Sequence, residues 1–383
     1  MVSTHANANA FSPMPNRHAA LADFAPDWVV TPGDTIADLL DERGWTQADL
    51  ANRTGFTKKH IFQLLRGEAP ITQETAAKLE KVLGSTARFW IGLDTQYRQQ
   101  LASRAELDAL AKHKSWLTEL PLKDMLRFGW LPKAASDAQQ VRECLRYFAV
   151  STVDAWREVY AKPVAAYRAP ATLTKDGPAV AAWLRQGERV AEGLRCADFD
   201  RATFQAALQS ARALTRVHAP AEFLPRLAEL CAGAGVAVVV APAPKGCTVS
   251  GATKWLSTNR ALIMLSVRGK SDDKLWFTFF HEAAHLLKHG KSLTFLDILG
   301  QDGLQPKEEE EADAFARDFL IPSGEWHQFV EAGRFSAARV GAFANEMGIA
   351  PGIVVGRLQF EKRILYKHLN ALKVAYTWNH AGA

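Results

Sequence analysis

Cysteine is scarce. The four residues Cys144, Cys196, Cys231 and Cys247 are spread over 383 positions, with no C-x-x-C pair among them. That excludes a disulfide framework and a thiolate zinc site, and it points to reduced, buried thiols in the cytoplasm. Long uncharged apolar runs are also missing. Charge interrupts every stretch before the roughly 20 residues that a membrane-spanning helix needs, so no membrane partner is expected. The segment from Met1 to Asp27, rich in Ala, Asn, Pro and His, lacks the basic start and apolar run of a secretory signal. It reads as a disordered tail over residues 1–30, and the expected location is cytoplasmic. Charge of one sign is not in large excess either. A net charge of +5 does not imply nucleic acid by itself, so such a partner has to meet a local basic surface. No internal repeat is found.

What is present is a globular balance, 48% hydrophobic and 23% charged residues, over a length that suggests two or three domains. Residues 31–100 read as short amphipathic helices, with Ile36, Leu39, Leu40, Leu50, Ala51, Ile61, Leu64, Leu65, Leu79 and Val82 at helical spacings. Residues 101–235 continue as a helical linker or scaffold, broken at Pro121, Pro132, Pro163, Pro170, Pro178 and Pro220. From 236 to 383 the pattern changes. Val236 to Ala241 and Ala261 to Val267 read as strands, and Asp272 or Asp273 caps an apolar helix that stops at Gly290. A second helix begins near Glu308 and runs to Pro322, and further helical segments follow Ala337. The fold class is therefore mainly α with a small β-sheet (α+β).

The helix after Asp273 carries His281-Glu282-Ala283-Ala284-His285. Histidines four apart lie about 40° from one another around a helix and one turn apart along it, so both rings can reach one cation. Glu282 stands where a general base for a metal-activated water is needed. A third ligand has to come from elsewhere. Glu309 and Asp313, four apart, share one face of the next helix, so Glu309 is assigned as third ligand and Asp313 as the acceptor that orients a ligand histidine. Glu311 stays open as an alternative ligand. His289 is a candidate third imidazole, although it drifts off the metal-facing line where the helix is ending. The competing reading of Glu308 to Glu311 is a solvated acidic helix start. For the histidines it is a surface pair, which Trp276-Phe277-Thr278-Phe279-Phe280 argues against, because that approach predicts a buried helix. The implied cofactor is Zn2+.

In the N-terminal segment Thr46 caps one helix, Gly55 supplies a tight turn, and Thr57 caps a second helix through Leu65. That spacing is a helix-turn-helix, whose second helix enters the major groove. Lys58, Lys59 and Gln63 are candidates for base or phosphate contact, with Gln47 and Arg66 at the backbone, while Ile61 and Leu64 belong to the core. The partner is then double-stranded DNA, and a homodimer is expected because such proteins read two half-sites. A helical pair used for dimerisation or partner binding is the rival reading.

Pro32-Gly33-Asp34, Gln47-Ala48-Asp49-Leu50-Ala51, Lys59-His60-Ile61, Ala69-Pro70-Ile71-Thr72, Phe89-Trp90 and Gln96-Tyr97 resemble a HigA-type antitoxin of the Xre family over roughly the first quarter of the chain. Trp276 to His289, Glu309 to Ala316 and Leu320-Ile321-Pro322 resemble the ImmA/IrrE metallopeptidases, and Gly251 to Leu256 and Gly348 to Leu358 resemble the larger fusions of the two. The resemblance implies a zincin-like metallopeptidase domain behind an all-α helix-turn-helix domain. It places zinc on His281, His285 and Glu309, makes Glu282 catalytic, and implies a helix-turn-helix repressor as protein substrate. The expected function is a transcriptional regulator with an attached zinc endopeptidase. A second reading is an antitoxin-like autoregulator with a cognate toxin, its zinc domain a non-catalytic sensor. A third, a small-molecule zinc amidohydrolase, would need a closed pocket.

Overall fold

The computed structural model describes residues 31–161, 173–266, 271–289, 295–298 and 306–376. The expected tail, Pro163, Pro170 and Gly290 lie outside these residues. The chain divides into two compact units. One runs to His113 and takes in residues 137–139, and the other comprises Lys114–Ser136 and the chain from Gln140 onward.

Among the described residues the first unit is all helix: α1 (Pro32–Arg43), α2 (Gln47–Thr54), α3 (Lys58–Leu65), α4 (Gln73–Leu83) and α5 (Ala87–Ala111). Each starts for the same local reason. Thr31, Thr46, Thr57, Thr72 and Thr86 accept a hydrogen bond from a backbone N–H three residues on, a cap worth about 1 kcal/mol. Gly55 takes φ 72°, which lets the chain turn from α2 into α3. Ile36, Leu50, Ile61, Leu64, Leu79 and Trp90 form the centre of the core. Leu39, Leu65 and Val82, expected inside, are only partly buried at its rim.

The later helices are α6 (Leu122–Arg127), α7 (Asp137–Phe148), α8 (Val153–Trp156), α9 (Leu173–Glu192), α10 (Arg201–Leu214) and α11 (Pro220–Ala232). Pro178 does not break the chain here as its residue type suggests. It lies inside α9, near the start of the helix. Strands β1 (Val236–Val240), β2 (Val249–Ser257) and β3 (Arg260–Leu265) precede α12 (Asp272–Lys288). Strand β4 (Phe295–Ile298) and helices α13 (Pro306–Leu320), α14 (Ser323–Glu331), α15 (Ala337–Met347) and α16 (Pro351–Phe360) complete the order. The architecture is mainly α with one small sheet, an α+β chain. No helix among the described residues is long and apolar enough to cross a membrane.

The sheet runs β1-β3-β2-β4. Strand β3 is parallel to β1 and antiparallel to β2, and β4 is antiparallel to β2. The sheet is covered on both faces, which is why β1 and β3 read as continuous apolar runs rather than alternating ones. Val236, Val238, Ala261, Ile263 and Leu265 join Trp276, Phe279, Phe280 and Ala283 of α12, together with α10 and α11, in one core. On the other face α9 lies against β3, where a Cβ on Gly187 would sit 2.0 Å from the Met264 sulfur. Lys254 of β2 reaches Glu188 of α9, Nζ to Oε1 2.5 Å.

Ser271, rather than Asp272 or Asp273, is the residue before α12, and it makes no side-chain cap. Both aspartates are instead buried in the first turn. The chain after α16 fastens them. The Asp272 N–H donates to the Val374 carbonyl, the Val374 N–H donates to the Asp272 carboxylate, and Lys373 Nζ lies 2.6 Å from Asp273 Oδ2.

Candidate metal centre and helix-turn-helix surface

Helix α12 is buried along almost its whole length, as its aromatic approach predicts. His281 and His285 are 3% and 1% exposed, and Glu282 is wholly buried. The histidines turn towards α13. Their Nε2 atoms stand 3.1 Å apart, with Glu309 Oε2 3.1 Å from His281 Nε2 and Glu309 Oε1 3.7 Å from His285 Nε2. One ligand atom from each of the three lies within 4.8 Å of the others. Glu310 faces solvent, as a bland acidic helix start would have it, and Glu309 is the carboxylate that faces the histidines.

The surrounding acids orient the histidine rings. A carboxylate only accepts. Asp313 Oδ1 therefore receives the proton of His281 Nδ1, 2.9 Å away, and Glu311 Oε2 receives that of His289 Nε2 at 3.3 Å. His289 Nδ1 is then an acceptor for His285 Nδ1–H, 2.9 Å distant. Both ligand histidines thus turn Nε2 toward the same carboxylate. Burial, followed by the neighbouring His281 and His289 rings, pushes the His285 pKa down to about 2, so its imidazole stays neutral. Two imidazole nitrogens and a carboxylate oxygen thus converge on one point, and this N2O donor set suits zinc. His281, His285 and Glu309 are the residues that could hold it. Glu311 and His289, the alternative ligands, stand behind His285 and not among those three atoms.

Helix α13 owes its position to cations at its end. Arg212 donates to the Leu320 carbonyl, and Arg357 donates to those of Arg317 and Ile321, placing cations at the end of the helix where its dipole is negative. Glu282 points to β2. Thr253 Oγ1 lies 2.7 Å from Glu282 Oε2 and 3.0 Å from the Glu282 carbonyl, and Gly251 admits the carboxylate where any Cβ would stand 2.5 Å from Oε1. Neither residue was among the sequence candidates. The signal was their spacing of two, which puts both on one face of a strand.

In the first unit Gln47, Lys58, Lys59 and Arg66 are exposed and Gln63 is half-buried. Arg66 Nε lies 2.8 Å from Glu68. Ile61 and Leu64 are buried as expected. The structure therefore gathers the DNA-contact candidates of α3 on one solvent face.

Residues 36–90 match the helix-turn-helix family model. The N-terminal part is also 33% identical, over 66 residues, to the uncharacterized HTH-type transcriptional regulator YddM of Escherichia coli (strain K12), covering 17% of this chain and 70% of that protein. The chain belongs to the HTH-type transcriptional regulators. Residues 232–359 match a peptidase-family model, that of the IrrE N-terminal-like domain. In this HTH-type regulator the metal-ligand candidates all fall within the IrrE-like match, as do Gly251 and Thr253. Helix α9, which covers the second face of the sheet, precedes it.

Proposed function

We propose that this HTH-type regulator is also a zinc-dependent endopeptidase whose substrate is a helix-turn-helix repressor or a related protein. The observation that carries the reading is the convergence of His281, His285 and Glu309 beside the buried Glu282. In this reading His281, His285 and Glu309 hold zinc, which when bound polarises the scissile carbonyl and makes water acidic enough to react near neutral pH. Glu282 would take a proton from the attacking water and return it to the leaving amine. Thr253 and Gly251 fix the Glu282 carboxylate in place. Asp313 orients His281, and the His289 and Glu311 pair orients His285.

Gln47, Lys58, Lys59, Gln63 and Arg66 hold duplex DNA, with two copies of the chain on paired half-sites. Residues 31–100 are the DNA-binding domain, 236–383 the peptidase domain with its helical extension, and 101–235 the scaffold between them.

The test compares wild type with Glu282→Gln in cells that encode the protein, mapping new protein N-termini and measuring zinc in the purified chains. Expected are about one zinc per chain in both, lost in His281→Ala and Glu309→Ala, and N-termini that arise only with the wild type. Zinc retained with no difference in N-termini would refute the peptidase. An antitoxin-like regulator with a non-catalytic zinc sensor would then be the better account.

A further inference from the structure

The exposed face of α3 holds one side chain that charge does not explain. Phe62 is 47% exposed, while Ile61 and Leu64 of the same helix are buried. A lone apolar side chain on a surface is ordinary, and position is what distinguishes this one. Residues four apart line up along a helix, so Lys58, Phe62 and Arg66 form one row and Lys59 and Gln63 the row beside it. Lys58, Lys59 and Arg66 are exposed, and the Arg66 guanidinium carbon lies 5.4 Å from the Phe62 ring centre. An aromatic ring therefore stands in the middle of a cationic helix face.

Phosphates attract the lysines and the arginine but offer a phenyl ring nothing. On the floor of the major groove the matching apolar group is the 5-methyl of thymine, whereas the other base edges present hydrogen-bonding groups. Gln63, in the adjacent row, has the amide that pairs bidentately with adenine.

We propose that Phe62 reads sequence, its ring packing on the 5-methyl group of one thymine in each half-site, next to a base held by Gln63. The inference rests on the reading of α3 as the groove helix. It makes Phe62 a specificity-determining residue and the lysines beside it sources of affinity.

The test uses the full chain and duplexes that the wild type enriches from a randomised pool. Each thymine of the enriched site is replaced in turn by uracil, which removes only the methyl group. Wild type is expected to lose about fourfold in affinity at one thymine per half-site, the effect of one buried methyl. Phe62→Ala, which removes the contact in both half-sites at once, should bind the thymine duplex about sixteenfold more weakly, about fourfold for each methyl group, and be indifferent to uracil at those positions. Phe62→Leu, which keeps an apolar tip, should still discriminate. Unchanged circular dichroism melting of both variants establishes that α3 is intact. Discrimination that survives in Phe62→Ala at every position, or no uracil effect on wild type anywhere, overturns the role of Phe62 and leaves DNA binding standing. Failure to enrich any duplex overturns the DNA-binding reading and this inference with it.

Discussion

Replacing Gly251 by alanine tests how closely β2 presses on the helix that carries His281, Glu282 and His285. A Cβ at that position would stand 2.5 Å from Glu282 Oε1, 2.5 Å from Thr278 Cγ2 and 2.8 Å from Glu282 Cγ. Ordinary contact between such atoms is about 3.5–4 Å, so both side chains have to retreat by roughly 1 Å. Glu282 is wholly buried and Thr278 nearly so, and neither has open space to move into. Overpacking of this kind costs about 1–3 kcal/mol. Alanine recovers about 0.5–1 kcal/mol of backbone entropy relative to glycine, and the φ of Gly251 is not positive, so no backbone strain is added. The net expectation is a loss of about 0–2.5 kcal/mol, read from urea unfolding followed by far-UV circular dichroism in the transition that carries the sheet. Zinc content should persist, because the histidines face α13. Cleavage should fall by more than the lower stability accounts for, because the alanine displaces the Glu282 carboxylate itself. A Gly251→Ala protein as stable as wild type, with full cleavage, would refute the close approach of β2 to Glu282.

Asp313→Asn keeps an acceptor for His281 Nδ1 but removes the charge, so zinc affinity measured by chelator competition should drop about tenfold, and unchanged affinity would remove Asp313 from the site. Burial, with Asp273 adding to it, raises the Asp272 carboxyl from 3.8 to about 6. The folded chain therefore holds a proton that the unfolded chain gives up between about pH 4 and 6, and stability falls as pH rises through that window. Asp272→Asn has no proton to lose, so its stability relative to wild type should improve by about 1–3 kcal/mol between pH 4 and pH 7. A flat or shrinking difference in urea midpoints would contradict the burial of that carboxyl. Lys58→Ala with Lys59→Ala should weaken duplex binding on every sequence and reduce the slope of log K against log salt by about 0.9 for each phosphate that is no longer neutralised. An unaltered slope would take both lysines off the DNA.

Several elements were legible because one local rule decided them. The threonine caps and Gly55 marked the turn between α2 and α3, and four aromatic residues among the five before His281 announced a buried helix. Glu309 and Asp313 could be paired by their spacing alone. Strand β2 was missed because of what its residues meet. A strand covered on both faces normally shows a β-branched apolar run, but β2 gives Gly251 and Thr253 to Glu282 and Lys254 to Glu188. The side chains that serve the site thus erased the signal of the strand that bears them. Pro178 misled in the other direction. In α9 it is the sixth residue of a helix that runs on past it without that one N–H bond. The arginines that close α13 could not be found in advance, since Arg212 and Arg357 lie 108 and 36 residues from the carbonyls they reach.

A cut made where the IrrE-like match begins, at residue 232, would leave the metal ligands intact and still spoil the protein. It would strip α9 from the sheet, baring Met264 and leaving Lys254 without Glu188. It would also remove Phe204, Leu208 and Phe223 from the core behind Trp276. A fragment intended for the test tube or for grafting onto another regulator should therefore begin no later than α9, or it will carry a greasy wall with nothing to rest on and clump before its chemistry can be measured.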